Sequence, residues 1–138
     1  MGMRTSLRFK GTVKEQFLKN FENIALAGEW HNASDKNLKK FSSLDRARLI
    51  PTGEFAYMPI EWADEKRREY NENTGEWVFT CSLKDYDDTV EEFFKLVPYF
   101  IKDLEYAEVY SETYHHLIKY ELNDGVVTKI ILPYRGIA

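Results

Sequence analysis

The segment Trp77-Val78-Phe79-Thr80-Cys81-Ser82-Leu83-Lys84 constrains this chain more than any other. Large apolar residues recur at every second position, so they share one face of an extended strand. Within a few residues the period changes. Val90, Phe93, Phe94, Val97 and Ile101 recur at helical spacing, behind the acid-rich start Asp87-Asp88-Thr89 with Glu91 and Glu92. Acids at a helix start cap free N–H groups and favour the positive end of the dipole. Pro98 lies inside this pattern and predicts a kink or an early end near Phe94. A strand that buries one face and then feeds an amphipathic helix calls for a sheet with helices laid on it.

The remaining segments extend that reading. Residues 4–10 place Leu7 and Phe9 on one face of a strand and Arg8 and Lys10 on the other. Gly11 punctuates the strand. Thr12 with Glu15 then forms a capping-box pattern before Val13, Phe17, Phe21 and Ile24, and Gly28 is a natural stop. Residues 29–53 form an irregular insertion, with a short helix around Leu38 and Phe41. Residues 54–62 read as another strand, which Pro59 marks as an edge or a bulge. Residues 63–75 read as a solvated connection closing in a turn. Strands are expected at 104–111, 113–122 and 126–132, the last two meeting in a hairpin at Asn123-Asp124-Gly125. The order is strand, helix, strand, strand, helix, strand, then the hairpin. It predicts one α+β domain spanning residues 1–138. The expected form is a ferredoxin-like βαββαβ sandwich, with two helices on one face of an antiparallel sheet and a C-terminal β-hairpin added.

Composition supports a packed core. A chain of 138 residues that is 43% hydrophobic and 30% charged suits one domain. With one cysteine, Cys81, no intramolecular disulfide forms, and its place among Trp77 and Phe79 makes it a core thiol. The opening residues run straight into an alternating segment, and no apolar run reaches membrane-span length. A cytoplasmic protein that does not enter the membrane is the expectation. The net charge is −4, unevenly spread. Residues 85–112 carry nine carboxylates and two lysines, a local charge of −7, whereas residues 36–48 carry five cations and Asp45, a charge of +4.

Catalytic spacings are sparse. The chain has no Walker loop, no Gly-x-Ser-x-Gly elbow, no Gly-rich dinucleotide fingerprint and no His-Glu-x-x-His. His115 and His116 are adjacent in an expected strand, so they point to opposite faces and do not clasp one metal. The acids at 85–92 lack the spacing of an EF-hand, and capping accounts for them. No catalytic residue, metal or cofactor is therefore assigned; an enzyme with a His-centred site is a minor alternative.

Two binding readings remain. Tyr and Trp are enriched at protein interfaces, and Tyr106 and Tyr110 lie among Glu105 and Glu108, with Glu91 and Glu92 on the preceding helix. These six residues are the expected contact set for a protein partner. The alternative is a nucleic acid, held through Lys36, Lys39, Lys40, Arg46 and Arg48. The overall acidic charge weighs against it.

Residues 49–132 also resemble the YubB-type ferredoxin-like family of phage and plasmid proteins. The resemblance rests on Leu49-Ile50-Pro51, Trp77-Val78-Phe79-Thr80-Cys81-Ser82, Val97-Pro98-Tyr99-Phe100, Leu104-Glu105-Tyr106 and the Asp124-Gly125 hairpin. It implies a small accessory protein of a mobile element, with an inhibitor of a host defence factor as an extension. It brings no catalytic residues.

Overall fold

Six strands hydrogen-bond into one antiparallel sheet. They are β1 (Arg4–Val13), β2 (Arg68–Tyr70), β3 (Glu76–Lys84), β4 (Ile101–Ser111), β5 (His116–Asn123) and β6 (Val126–Pro133). Their spatial order is β2-β3-β1-β4-β5-β6. The computed structural model describes residues 4–56, 58–62, 67–85, 88–111 and 116–133. The helices are α1 (Glu22–Ala27), α2 (Lys36–Phe41), α3 (Leu49–Thr52) and α4 (Thr89–Phe100). The chain is thus an α+β protein built on an open antiparallel sheet.

Helices cover the face that strand alternation selects. Leu7 and Phe9 of β1 share it with Trp77, Phe79, Cys81 and Leu83 of β3 and with Ala107 and Val109 of β4. Phe93 of α4 meets Phe9 at 5.7 Å and Phe79 at 6.1 Å between ring centroids. Phe21, just before α1, meets Trp77 edge-on at 5.0 Å. Buried indoles need acceptors. Trp77 donates to the Ala25 carbonyl (3.0 Å) and Trp30 to the Ile50 carbonyl (2.8 Å), which ties residues 25–50 to the core. Burial pushes the Cys81 thiol pKa up, so it sits there as a core thiol.

Several expectations change. Gly11 does not end β1, because it pairs with Trp77 and the strand continues to Val13. Thr12 is therefore held in the ladder opposite Glu76 and caps no helix. A 3-10 stretch, Glu15–Asn20, precedes α1 instead. Pro98 leaves α4 unbroken to Phe100. It lies in the last turn, where little of the ladder remains to lose, and its carbonyl accepts from Lys14 Nζ at 3.0 Å. At the other end of α4, Asp88 is the N-cap residue but its side chain makes no capping bond, and Asp85 supplies the carboxylate. That carboxylate accepts from the Thr89 and Val90 N–H groups (2.6 and 3.4 Å).

The largest change concerns residues 54–62, whose described residues form no strand. Glu54 makes one isolated bridge to Ser82, and Ile60–Trp62 is a 3-10 turn. The strand beside β3 is instead the short β2, within the expected connection. The reason is packing. Met58 and Trp62 form a second small core with Tyr110 and Leu117, on the sheet face opposite the helices. Pro59 withholds a ladder donor at this point, and the observed path buries Met58 and Trp62 while leaving Phe55 and Ile60 exposed.

Candidate protein-binding surface

The structure divides the six residues expected to meet a protein partner. Glu108 is only 7% exposed and forms an ion pair with Arg8. The Arg8 guanidinium lies 4.8 Å from the Tyr106 ring centroid and 5.4 Å from that of Trp62, a cation held between two π faces. Tyr110 is fully buried in the second core. Glu108 and Tyr110 thus act inside the protein, under residues 58–62. Tyr106 is half-buried, and Glu105 is exposed and pairs with Lys10 at 3.2 Å. Glu92 pairs with Lys95 at 2.8 Å on α4. Glu91, one residue earlier, is exposed and lines a groove between α4 and the β5–β6 hairpin. The acidic helix and the tyrosines therefore lie on opposite sides of the sheet.

The basic alternative is also divided. Lys36, Lys39 and Lys40 belong to α2, where Lys40 lines a groove shared with Lys95 and Tyr99 of α4. Arg46 and Arg48 lie in the following turn and line a separate recess. His31 lines that recess too, and His116 is exposed on β5. His115, Tyr57, Tyr86 and Tyr114 lie outside the described residues. Among the described residues no group of three His, Cys, Asp or Glu side chains is placed to hold a metal. No helix of the described residues is long and apolar enough to cross a membrane.

Among the described residues, β6 carries the most exposed apolar surface. Val126 is 59% exposed, Ile130 47%, Ile131 54% and Leu132 38%. The strand is the last in the sheet and pairs with β5 along its whole length, from His116 opposite Pro133 to Asn123 opposite Val126. No described strand pairs with its other edge. Adjacent residues of a strand point to opposite faces, so Ile130 and Ile131 expose apolar surface above and below the same edge. On the helix side, Phe94, Tyr120, Val126 and Val127 floor a groove of about 440 Å³, with Glu91 and Lys129 among its walls.

The sequence reading placed this strand without seeing its exposure. The signal was present in Ile130-Ile131-Leu132. Three consecutive apolar residues in a strand give each face at least one, and the final strand of a hairpin extension has only one neighbour. No family model, curated protein or solved structure matches the chain.

Proposed function

We propose that this protein is a binding module that receives an extended segment of another protein along the free edge of β6. One observation carries the reading: Ile130 and Ile131 are both about half exposed, on opposite faces of one edge strand. A globular patch or a helix laid on the sheet would cover one of these faces. An added strand covers both, because its own side chains alternate while its backbone takes up the free N–H and C=O groups. The fully antiparallel sheet accepts such a strand without distortion. On the helix side the groove under α4 takes alternate apolar side chains of the segment, and Glu91 at its wall favours a Lys or Arg among them.

The finer fold assignment belongs to the same proposal. The run β2-β3-β1-β4, with α1 between β1 and β2 and α4 between β3 and β4, has the strand order of a ferredoxin-like βαββαβ core. The β5–β6 hairpin then extends the sheet and carries the binding edge away from the core. In the setting that the YubB-type resemblance implies, a phage or plasmid accessory protein, the captured segment belongs to a host factor.

The test compares capture of a host protein by the native chain with capture by Ile130→Lys and by Ile131→Lys, one variant for each face. Both are expected to lose the partner while melting within a few degrees of the native protein. Slowed amide exchange confined to β6 should accompany binding. Undiminished capture by both variants, or protection elsewhere on the chain, overturns the reading. So does a concentration-dependent dimer that both variants abolish, which would give the edge to a second copy of this chain.

A further inference from the structure

The β5–β6 hairpin turns through Asp124 and Gly125, with φ 52° and 76°. Two central residues of positive φ make a type I′ turn, in which the flanking pair, Asn123 and Val126, is hydrogen-bonded. Bonded and non-bonded pairs then alternate along an antiparallel ladder. The register runs without a shift to His116 opposite Pro133, so Thr128, Ile130 and Leu132 direct their backbone groups to β5. Val127, Lys129 and Ile131 direct theirs to the other edge, where Pro133 adds a carbonyl but no N–H.

The same three residues lie on the helix side of the sheet. Lys129 is the partner of Tyr120, whose ring stacks on Phe94, and residues two apart share a face. In an antiparallel addition, a residue opposite one of them has its side chain on that face too. The groove beside α4 therefore reads the positions opposite Val127, Lys129 and Ile131. The positions between them meet Ile130 and its neighbours on the other face.

The groove has a wall of each sign. Glu91 and Lys129 are both exposed, and neither forms an ion pair with a described residue. Their order along β6 follows from the topology. α4 starts beside Lys84, at the sheet end that holds Ser111, His116 and Pro133, and finishes where β4 begins. It thus runs against β6. With Phe94 level with Lys129, Glu91 lies about 4.5 Å further towards Ile131, at about 1.5 Å per helical residue. At the Val127 end the wall is Pro98, and Lys95 is already paired with Glu92.

We propose, on the basis of the edge capture argued above, that β6 selects an antiparallel segment with a basic residue opposite Ile131, an acid opposite Lys129 and an apolar residue opposite Val127. From its N-terminus the segment reads basic-x-acidic-x-apolar, with β-branched residues at x to cover Ile130. The acid meets Lys129 directly across the ladder, and the base reaches Glu91 across the groove. The antiparallel direction is that of every strand pair in the sheet.

The test uses the full chain and three synthetic heptapeptides, with affinities measured by calorimetry. Thr-Lys-Val-Glu-Val-Val-Thr has the selected order, a second peptide exchanges its Lys and Glu, and a third reverses the whole sequence. The first should bind about fivefold tighter than the second, because two attractive charge pairs become repulsive. It should also bind tighter than the third, and added salt should narrow the first gap. Lys129→Gln keeps the outward N–H and should bind the first two peptides with a smaller difference. Lys129→Pro removes that N–H, leaves the β5 ladder intact and should lose all three peptides. Val127→Pro, which removes the neighbouring outward N–H, should act alike.

Equal binding of the first two peptides, lost in both proline variants, overturns the charge selection while edge capture stands. Tighter binding of the reversed peptide overturns the direction. Binding undiminished in both folded proline variants overturns edge capture itself and the selection with it. Failure of all three peptides to bind the native chain at millimolar concentration overturns the selection.

Discussion

Phe94 of α4 and Tyr120 of β5 stack face to face, with ring centroids 3.7 Å apart and planes within 1° of parallel. This contact matters because β4 pairs with β5 only from His116 to Lys119. Beyond Lys119 no described strand pairs with the hairpin on that side, and Tyr120 is where it rests on the helix layer. Replacing Tyr120 with Ala is expected to cost about 3 kcal/mol, as for other large-to-small changes at buried aromatics. It should also speed amide exchange in β6 ahead of the rest of the sheet. Tyr120→Phe keeps the stack and should stay within about 1 kcal/mol of the native protein. Urea unfolding and hydrogen exchange check both outcomes.

Tyr120 and Tyr70 set an alkaline limit. Both phenols are pushed up to about 12, chiefly by burial, with nearby carboxylates adding to it. In the unfolded chain a tyrosine ionises near pH 10. Between these values the unfolded chain releases protons that the folded one keeps. Stability from this source is therefore complete below about pH 10 and falls as the pH rises towards 12. Melting temperatures from pH 9 to 12 should decline with a slope that Tyr120→Phe reduces. Tyr70→Phe should reduce it too, at the cost of about 1 kcal/mol for the bond from its hydroxyl to the Leu18 carbonyl (2.9 Å).

Arg8 and Glu108 should behave as one unit. Arg8→Met alone leaves Glu108 nearly buried with Lys119 3.9 Å away, and Glu108→Leu alone leaves the guanidinium between two rings. Each single change is expected to cost about 3 kcal/mol. The double replacement should cost clearly less than their sum, which a double-mutant cycle in urea measures. Glu108→Lys should be far more damaging than Glu91→Lys, because it places a third cation beside Arg8 and Lys119. Glu91 is exposed, and its reversal should move stability by no more than about 0.5 kcal/mol.

Gly28 and Gly125 have nearly the same left-handed φ, 66° and 76°. Their surroundings differ. Nothing lies within 4 Å of a Cβ added at Gly125, so Gly125→Ala should cost only the conformational penalty, about 1 kcal/mol. A Cβ at Gly28 would lie 2.1 Å from the Arg48 carbonyl, so Gly28→Ala should cost several times more and shift the 45–48 turn. Thermal melts of the two variants side by side test the difference.

Much of the frame was legible because local pattern and tertiary role agree there. The alternation from Trp77 to Leu83 is β3, the Asp124-Gly125 pair is the β5–β6 turn, and Gly28 ends α1 in a left-handed cap. The acids before α4 include its cap, though the carboxylate that serves is Asp85. Local pattern misled where long-range packing outweighed it. Residues 54–62 alternate like a strand, yet Met58 and Trp62 are drawn onto Tyr110 across the sheet. Thr12 and Glu15 carry a capping pattern that the ladder opposite Glu76 overrides. The charges at 91, 92, 105 and 108 look alike in the sequence and have four different surroundings.

By itself the sequence determined which residues of β1, β3 and α4 line the principal core, where the hairpin turns and that the chain is an α+β protein, because hydrophobic period and turn chemistry are local properties. Only the tertiary structure decided that Glu108 pairs with Arg8 under Trp62, that β6 is left as an apolar edge, and that Arg46 and Arg48 share a recess with His31. Those outcomes depend on which segments far apart in the chain cover one another. That choice follows from the total apolar surface the whole chain can bury, and no window of neighbouring residues contains it.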